Sequence, residues 1–349
     1  MKKFGKALPA CAAFGLLLCL VLFSAEAKAA AADALSLCAA TLVPTLFPFY
    51  AAVNLLLNMG ALPSGKITQM LTERCFRLPG EAASAVLLGL LGGYPVGISV
   101  TAALYRQGLL TRDEAVRLSM FANNAGPGFI LGAAGLSVFH SVPLGLLLLG
   151  IHTLSAFAAG FAVRTAKKPN PVVRRSAPHR TAVSAPILPK AVSDALQSML
   201  MICAYVVFCS VCLAMIRALP LFGMLAKELS AVLPAAEAFF CGLCELSCGI
   251  LALRGLPTAT AFATASVLLG WGGLCVFLQS AAVLRAAGLP ARQCLIGKAL
   301  QAAFSGLLSC AVCGIVFHQR PSVAFFAIPI IGFFALRKIR GRKNRYSLI

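Results

Sequence analysis

Residues 82–105 read AASAVLLGLLGGYPVGISVTAALY (Ala82–Tyr105). A run of this length without a charge can cross a hydrocarbon core about 30 Å thick. Gly92-Gly93-Tyr94-Pro95 nevertheless cuts it near its middle. Glycine and proline together punctuate local structure, so the run reads as two half-helices joined by a turn. Whether this segment crosses the membrane or turns back decides the architecture. One crossing more or fewer inverts everything that follows.

The surrounding chain establishes that a membrane is involved. Of 349 residues, 60% are hydrophobic and only 11% charged, against about 25% charged in soluble domains. The net charge of +20 is a pattern that nucleic-acid binders share, but its distribution argues against that class. Basic residues cluster at Lys2, Lys3 and Lys6, between Arg164 and Lys190, and between Arg337 and Arg345. Each cluster borders an apolar run, as cytoplasmic flanks of membrane spans do, and each can meet anionic headgroups. Nucleic acid is therefore excluded as a partner, and membrane lipids are included. The basic linker and the C-terminus read as cytoplasmic.

The same charges thread the chain. Phe4–Phe23 reads as a first outward span, with a signal peptide ending near Ala25-Glu26-Ala27 as the competing reading. Leu35–Leu57 returns inward and carries Pro44 and Pro48, which predict a kink. If residues 82–105 then crossed fully, the basic linker would end outside. A re-entrant hairpin entered from the cytoplasm restores the parity. Arg117–Phe139, interrupted at Asn123-Asn124-Ala125-Gly126-Pro127-Gly128, reads as a broken outward span, and Pro143–Val163 returns. The order then repeats in the opposite sense. Ala195–Leu219 spans, Ala236–Leu253 forms a second hairpin, Thr258–Leu284 breaks at Gly270-Trp271-Gly272-Gly273, Cys294–Phe317 spans, and Val323–Leu336 returns to the basic tail.

The fold class expected is thus an all-α polytopic membrane protein, with about eight transmembrane helices, two re-entrant hairpins and two broken helices in an inverted repeat. Residues 1–34 form the N-terminal helix or anchor, 35–163 the first repeat, and 164–193 the basic linker. Residues 194–318 form the second repeat, and 319–349 the last helix and tail. Interrupted segments at matching positions of two halves point to a transporter's binding site. The competing reading is a polytopic scaffold in which small residues only permit close helix packing.

Irregular backbone at membrane depth survives only where protein or water satisfies its polar groups. The four interruptions are therefore the candidate site. Half-helix N-termini there favour an anionic or strongly polar solute. Glu245, in the second hairpin with Ser247, is the sharpest residue, because an intramembrane carboxylate is costly and usually functional. It can bind a donor on the solute or hold a coupling proton. Asn123 and Asn124 offer donors and acceptors at the first break. Gly93, Tyr94 and Pro95 form the first hairpin's turn, with Ser99 on the half-helix after it, and Gln279 follows the second break. Trp271 reads equally as a stacking or a packing residue. His152 and Gln301 read as isolated helix–helix hydrogen bonders, and Lys298 as a side chain that snorkels to the cytoplasmic surface.

The fourteen cysteines include three CxxC pairs, Cys209/Cys212, Cys241/Cys244 and Cys310/Cys313, all set among apolar residues. They read as packing residues, and no metal or other cofactor is expected. No P-loop, nucleophile elbow, HExxH or dinucleotide fingerprint is present, so the motifs of an ATP-driven pump or an enzyme are lacking.

The segments Gly89–Gly97, Leu109–Glu114 and Phe121–Pro127, then Gly242–Leu246, Gly270–Gly273 and Gln279, resemble the sporulation integral membrane proteins of the YlbJ type. The resemblance runs from about residue 35 to 320. It implies a nucleoside-recognition or Gate domain and residence in a membrane around the forespore of an endospore-forming bacterium. It further implies movement of dipicolinic acid, a small anionic aromatic. The matching residues are Gly93, Pro95, Asn123, Asn124, Glu245 and Gln279; Trp271 departs from the pattern. Under the alternative reading the chain is a non-transporting gate or scaffold that assembles with other sporulation membrane proteins.

Overall fold

A computed structural model describes residues 4–59, 65–165, 186–220, 223–224, 228–229, 234–319 and 321. Most of those residues are helical, with no strand among them. The first apolar run forms α1 (Phe4–Leu22), and the chain bends at Phe23 directly into α2 (Ser24–Leu37). A widened turn at Cys38–Leu42 leads on into α3 (Val43–Asn58). The expected kink therefore falls one turn ahead of the prolines. Pro44 and Pro48 bring no N–H to the helix ladder. The Val43 N–H reaches back to Cys38 O, five residues away, and the Thr45 hydroxyl donates to Thr41 O at 2.6 Å.

Five helical segments are long and apolar enough to cross a membrane: Ser24–Leu56, α9 (Val142–Ala162), α10 (Ile187–Ala218), the run Thr258–Ala286, and α15 (Arg292–Val316). About eight spans are expected from the sequence; these five are the ones that length and composition identify among the described residues. Val323–Leu336 lies outside the described residues. The segment read as a broken span over 117–139 consists of α7 (Arg112–Leu118), an irregular stretch, and α8 (Pro127–Leu136), each helix too short to span alone. Its middle cannot be helical, because Gly126 is extended and Pro127 takes the first helical position, where a missing N–H does no harm. Beyond α3 the chain forms a further helix, α4 (Lys66–Phe76), which exposes Ile67, Met70 and Leu71. Arg117 fastens the end of α4 by donating to the carbonyls of Phe76 (3.4 Å) and Arg77 (3.2 Å).

The run at 82–105 breaks where glycine and proline mark it. The half-helix α5 (Ala82–Gly92) ends at Gly93, whose φ of +83° suits only glycine, and α6 (Val96–Arg106) starts after Pro95. The two halves fold back on each other. A Cβ built on Gly89 would lie 3.0 Å from Gly97 Cα, and 1.9 Å from the carbonyl oxygen of Ala122. Gly97 approaches the same oxygen, at 1.8 Å from its hypothetical Cβ. The first hairpin thus clamps the backbone of the first break between two bare glycine faces. The second pair, α11 (Ala236–Cys244) and α12 (Leu246–Leu251), repeats the device, with Gly242 packed backbone to backbone on Gly249. In the second broken run, α13 (Thr258–Trp271) and α14 (Gly273–Ala286) meet at Gly272, which takes a left-handed conformation.

Elements pair by position across the two halves. The α2–α3 helix lies along α10, with Asn58 donating to Asp194 and accepting from Lys190, so the end of α3 and the start of α10 share one side. Likewise α9 packs on α15, α6 on α14, and α12 on α8. Each hairpin therefore touches the other half's broken run. At about 1.5 Å per residue, the 33-residue Ser24–Leu56 segment and the 32-residue α10 are each on the order of 50 Å long. Both exceed the hydrocarbon thickness. Leucines and phenylalanines of α9 and α10, such as Leu146, Leu154, Leu200 and Phe208, are exposed, the surface that a protein solvated by lipid presents.

Candidate functional site

Three of the four interruptions, and the helix that follows the fourth, line one cavity of about 50 Å³. Gly93 and Tyr94 come from the first hairpin's turn, Gly126 and Phe129 from the first break, Glu245 and Ser247 from the second hairpin, and Cys275 and Gln279 from α14. Leu42 and Leu46, at the widened turn before α3, and Ile202 and Val206 on α10 supply apolar wall. The first turns of α8 and α14 contribute Phe129, Cys275 and Val276 to its wall, and the first turn of a helix carries unpaired N–H groups and partial positive charge.

Glu245 is the residue at which the second hairpin breaks. Its backbone is extended, and its carboxylate caps α12 by accepting from the Cys248 N–H at 2.7 Å. Only 2% of the residue is exposed. The pattern Glu-Leu-Ser-Cys accounts for this, since a side chain with an acceptor at the N-cap satisfies an orphan donor of the following helix. Gln279 sits two turns along α14, with its amide directed to Cys275 Sγ at 3.5 Å.

Of the sequence-predicted residues, Gly93, Tyr94, Glu245, Ser247 and Gln279 line the cavity. Pro95 stands just behind the turn and Ser99 is half-buried on α6; neither lines it. Asn123 and Asn124 are buried beside the cavity and face α14 and α15 instead. Asn123 donates to Ser280 Oγ at 2.7 Å, and its side-chain oxygen has no partner. Asn124 donates to Phe121 O (2.8 Å) and accepts from Gln301 at 2.9 Å.

Three residues read as peripheral turn out to be central. Lys298 does not snorkel. It is 3% exposed, and its ammonium donates to Tyr94 Oη (3.1 Å), the Asn123 carbonyl (3.0 Å) and Gln301 Oε1 (2.7 Å). Gln301 continues the network to Asn124 and to the His152 carbonyl, and His152 Nε2 accepts from the Ala125 N–H at 3.0 Å. Neither Gln301 nor His152 is isolated: together they hold the irregular backbone of the first break. The usable signal was a stripe on α15, with Lys298, Gln301, Ser305 and Ser309 spaced three or four apart and hence on one face. Ser305 extends the network by donating to Ser155 at 2.7 Å.

Two aromatics tie the halves together at helix ends. The Tyr94 hydroxyl donates to Leu269 O (3.0 Å) near the end of α13, and the Trp271 indole donates to Leu243 O (3.1 Å) near the end of α11. Both satisfy carbonyls that a terminating helix leaves unpaired. Trp271 is therefore a tie between the second break and the second hairpin. All fourteen cysteines are free thiols.

Over 293 residues the chain is 26% identical to the sporulation integral membrane protein YlbJ of Bacillus subtilis (strain 168), covering 76% of this chain and 72% of that protein. The chain is related to the YlbJ type. No family model matches it. No solved structure matches it either. The YlbJ relationship and the five apolar helices of spanning length together make this a multi-pass membrane protein.

Proposed function

We propose that this chain is a sporulation-associated membrane transporter, moving a small anionic or polar solute through the cavity where the interruptions meet. The convergence of both hairpins, the first break and the helix after the second break on one space is the observation that carries this reading. Broken helices and hairpins at midplane are how transporters build binding sites without exposing irregular backbone to lipid. In the proposal the two hairpins are re-entrant, the halves form an inverted repeat, and the basic linker and tail are cytoplasmic. Helix first turns in the cavity wall favour an anion. The YlbJ likeness supplies dipicolinic acid as the first solute to test and a forespore-surrounding membrane as the location.

A cavity of about 50 Å³ has room for a few waters and is far smaller than pockets that hold drug-sized ligands. In the proposal, a solute of dipicolinate size is admitted only when the halves move apart and widen this space. The same narrowness favours a second reading, in which the chain is a non-transporting gate or scaffold assembled with other sporulation membrane proteins.

Proteoliposomes containing the full chain decide between them. Transport predicts saturable dipicolinate uptake, lost in Glu245→Gln and in Asn123→Ala while both variants still insert. Normal flux in both variants rules out the proposed site. Absence of flux for dipicolinate and other small anions, with stable co-purification of a membrane partner, establishes the scaffold.

A further inference from the structure

We propose that Lys298 is the group that binds the solute's anionic end, and that the Tyr94 hydroxyl occupies its place until solute arrives. This rests on the transport reading above and names the residues that read the solute's charge.

A buried ammonium ordinarily sits against a carboxylate, because an unpaired charge in a low-dielectric interior is costly. Lys298 does not. The chain has ten acidic side chains, all within the described residues, and none of them pairs with Lys298; the ion pairs among the described residues are Lys190–Asp194 and Arg217–Glu237. The three ammonium protons go instead to three neutral oxygens: a phenol, a backbone carbonyl and an amide. An ammonium has three donors and no acceptor, so its hydrogen bonding is complete while its charge is not neutralised. An intramembrane charge held in this way points to a function in the solute path.

The three oxygens are not equally replaceable. The Asn123 carbonyl belongs to backbone beside Ala122, which the first hairpin clamps. Gln301 is 0% exposed and held in turn by Asn124. Tyr94 alone is both a ligand of the ammonium and a wall of the cavity, and its ring also lies 5.0 Å from the ammonium. Its hydroxyl proton is directed to Leu269 O, so it offers Lys298 a lone pair. A solute oxyanion entering from the cavity reaches Lys298 by displacing this one neutral acceptor. The exchange replaces a bond from the ammonium to a neutral oxygen by one to an oxyanion, which adds the opposite charge that the three neutral oxygens do not supply. Tyr94 also spans the halves, from the first hairpin to α13 and α15, so solute arrival would release a contact that holds them together.

The test measures equilibrium binding of radiolabelled dipicolinate to the purified full chain, competed with benzoate and with neutral benzamide, beside proteoliposome flux. Lys298→Met is expected to weaken dipicolinate binding at least tenfold and to abolish competition by benzoate. Tyr94→Phe is expected to tighten binding at least threefold, because the competing hydroxyl is gone. Benzamide is expected not to compete with the wild type. Dipicolinate binding unchanged in Lys298→Met, or weakened in Tyr94→Phe, overturns the assignment, and so does absence of binding to the wild type. If Lys298→Met does not run as a single folded species, Tyr94→Phe decides alone, and binding unchanged from wild type then counts against the proposal. Binding with the expected variant pattern but no flux removes the transport reading and supports Lys298 as an anion site. Flux with binding indifferent to Lys298→Met removes only the present inference.

Discussion

Replacing Gly97 by alanine tests the packing that positions the site. The added Cβ would stand 1.8 Å from Ala122 O and 2.6 Å from Ala122 C, both backbone atoms. Reaching even 3.0 Å requires the hairpin and the break to part by about 1.2 Å. No rotamer change can relieve this, since neither obstacle is a side chain. Overpacking of this kind costs about 1–3 kcal/mol. The next residue along supplies the carbonyl that Lys298 bonds at 3.0 Å, and loss of a charged hydrogen bond adds about 1.5–3 kcal/mol. Together about 2.5–6 kcal/mol is expected, a large part of a native stability of about 5–15 kcal/mol. Thermal unfolding in detergent, followed with a thiol-reactive fluorophore, reads this directly, because Cys275, Cys294 and Cys313 are buried until the fold opens. The midpoint should fall by on the order of 10 °C. Gly150→Ala is the control. Gly150 lies within α9 with nothing within 4 Å of a Cβ, so alanine there should be neutral or add about 0.5–1 kcal/mol from helix propensity. A Gly97→Ala midpoint equal to that of Gly150→Ala would refute the clamp.

Three further outcomes follow from other parts of the molecule. Thr111 and Glu114 form a capping box at α7, with Glu114 accepting from the Thr111 N–H at 2.8 Å, so Thr111→Ala should lower stability by about 1 kcal/mol in the same assay. Trp271→Phe removes the bond to Leu243 O and should cost about 1 kcal/mol, with dipicolinate affinity within twofold of wild type; a larger loss of affinity would make Trp271 a solute contact. For topology, Ser176→Cys in a cysteine-free background should react with an impermeant maleimide only from the cytoplasmic face, and labelling from outside would invert the threading.

Much of the helix grammar was legible in the linear chain. The breaks at Gly93, Gly126 and Gly272 fall within the glycine–proline segments that mark them, because conformational freedom and missing N–H groups act on a residue's immediate neighbours. Glu245 was singled out on cost alone, since a carboxylate in an apolar run has few bland explanations. The count of spans was less legible. Hydropathy does not tell a run that crosses from a helix that stops short, and the stretch before Pro127 loses its helix to backbone contacts with the first hairpin and α15. Gly297, for example, packs against the Met120 carbonyl.

Lys298 shows where local reasoning ended. It lies six residues into α15, close enough to the end for a long side chain to reach water, and the polar stripe of α15 marks one face without saying which elements that face meets. Its direction depends on α9, α13 and the first break packing around it. The sequence alone determined that this is a multi-pass helical membrane protein and where its helices are interrupted, since hydrophobicity, glycine and proline act over one or two turns. Tertiary structure alone decided which interruptions meet, and that a lysine, a tyrosine and two asparagines share one network. Those contacts join residues up to 204 positions apart, and no local preference specifies them.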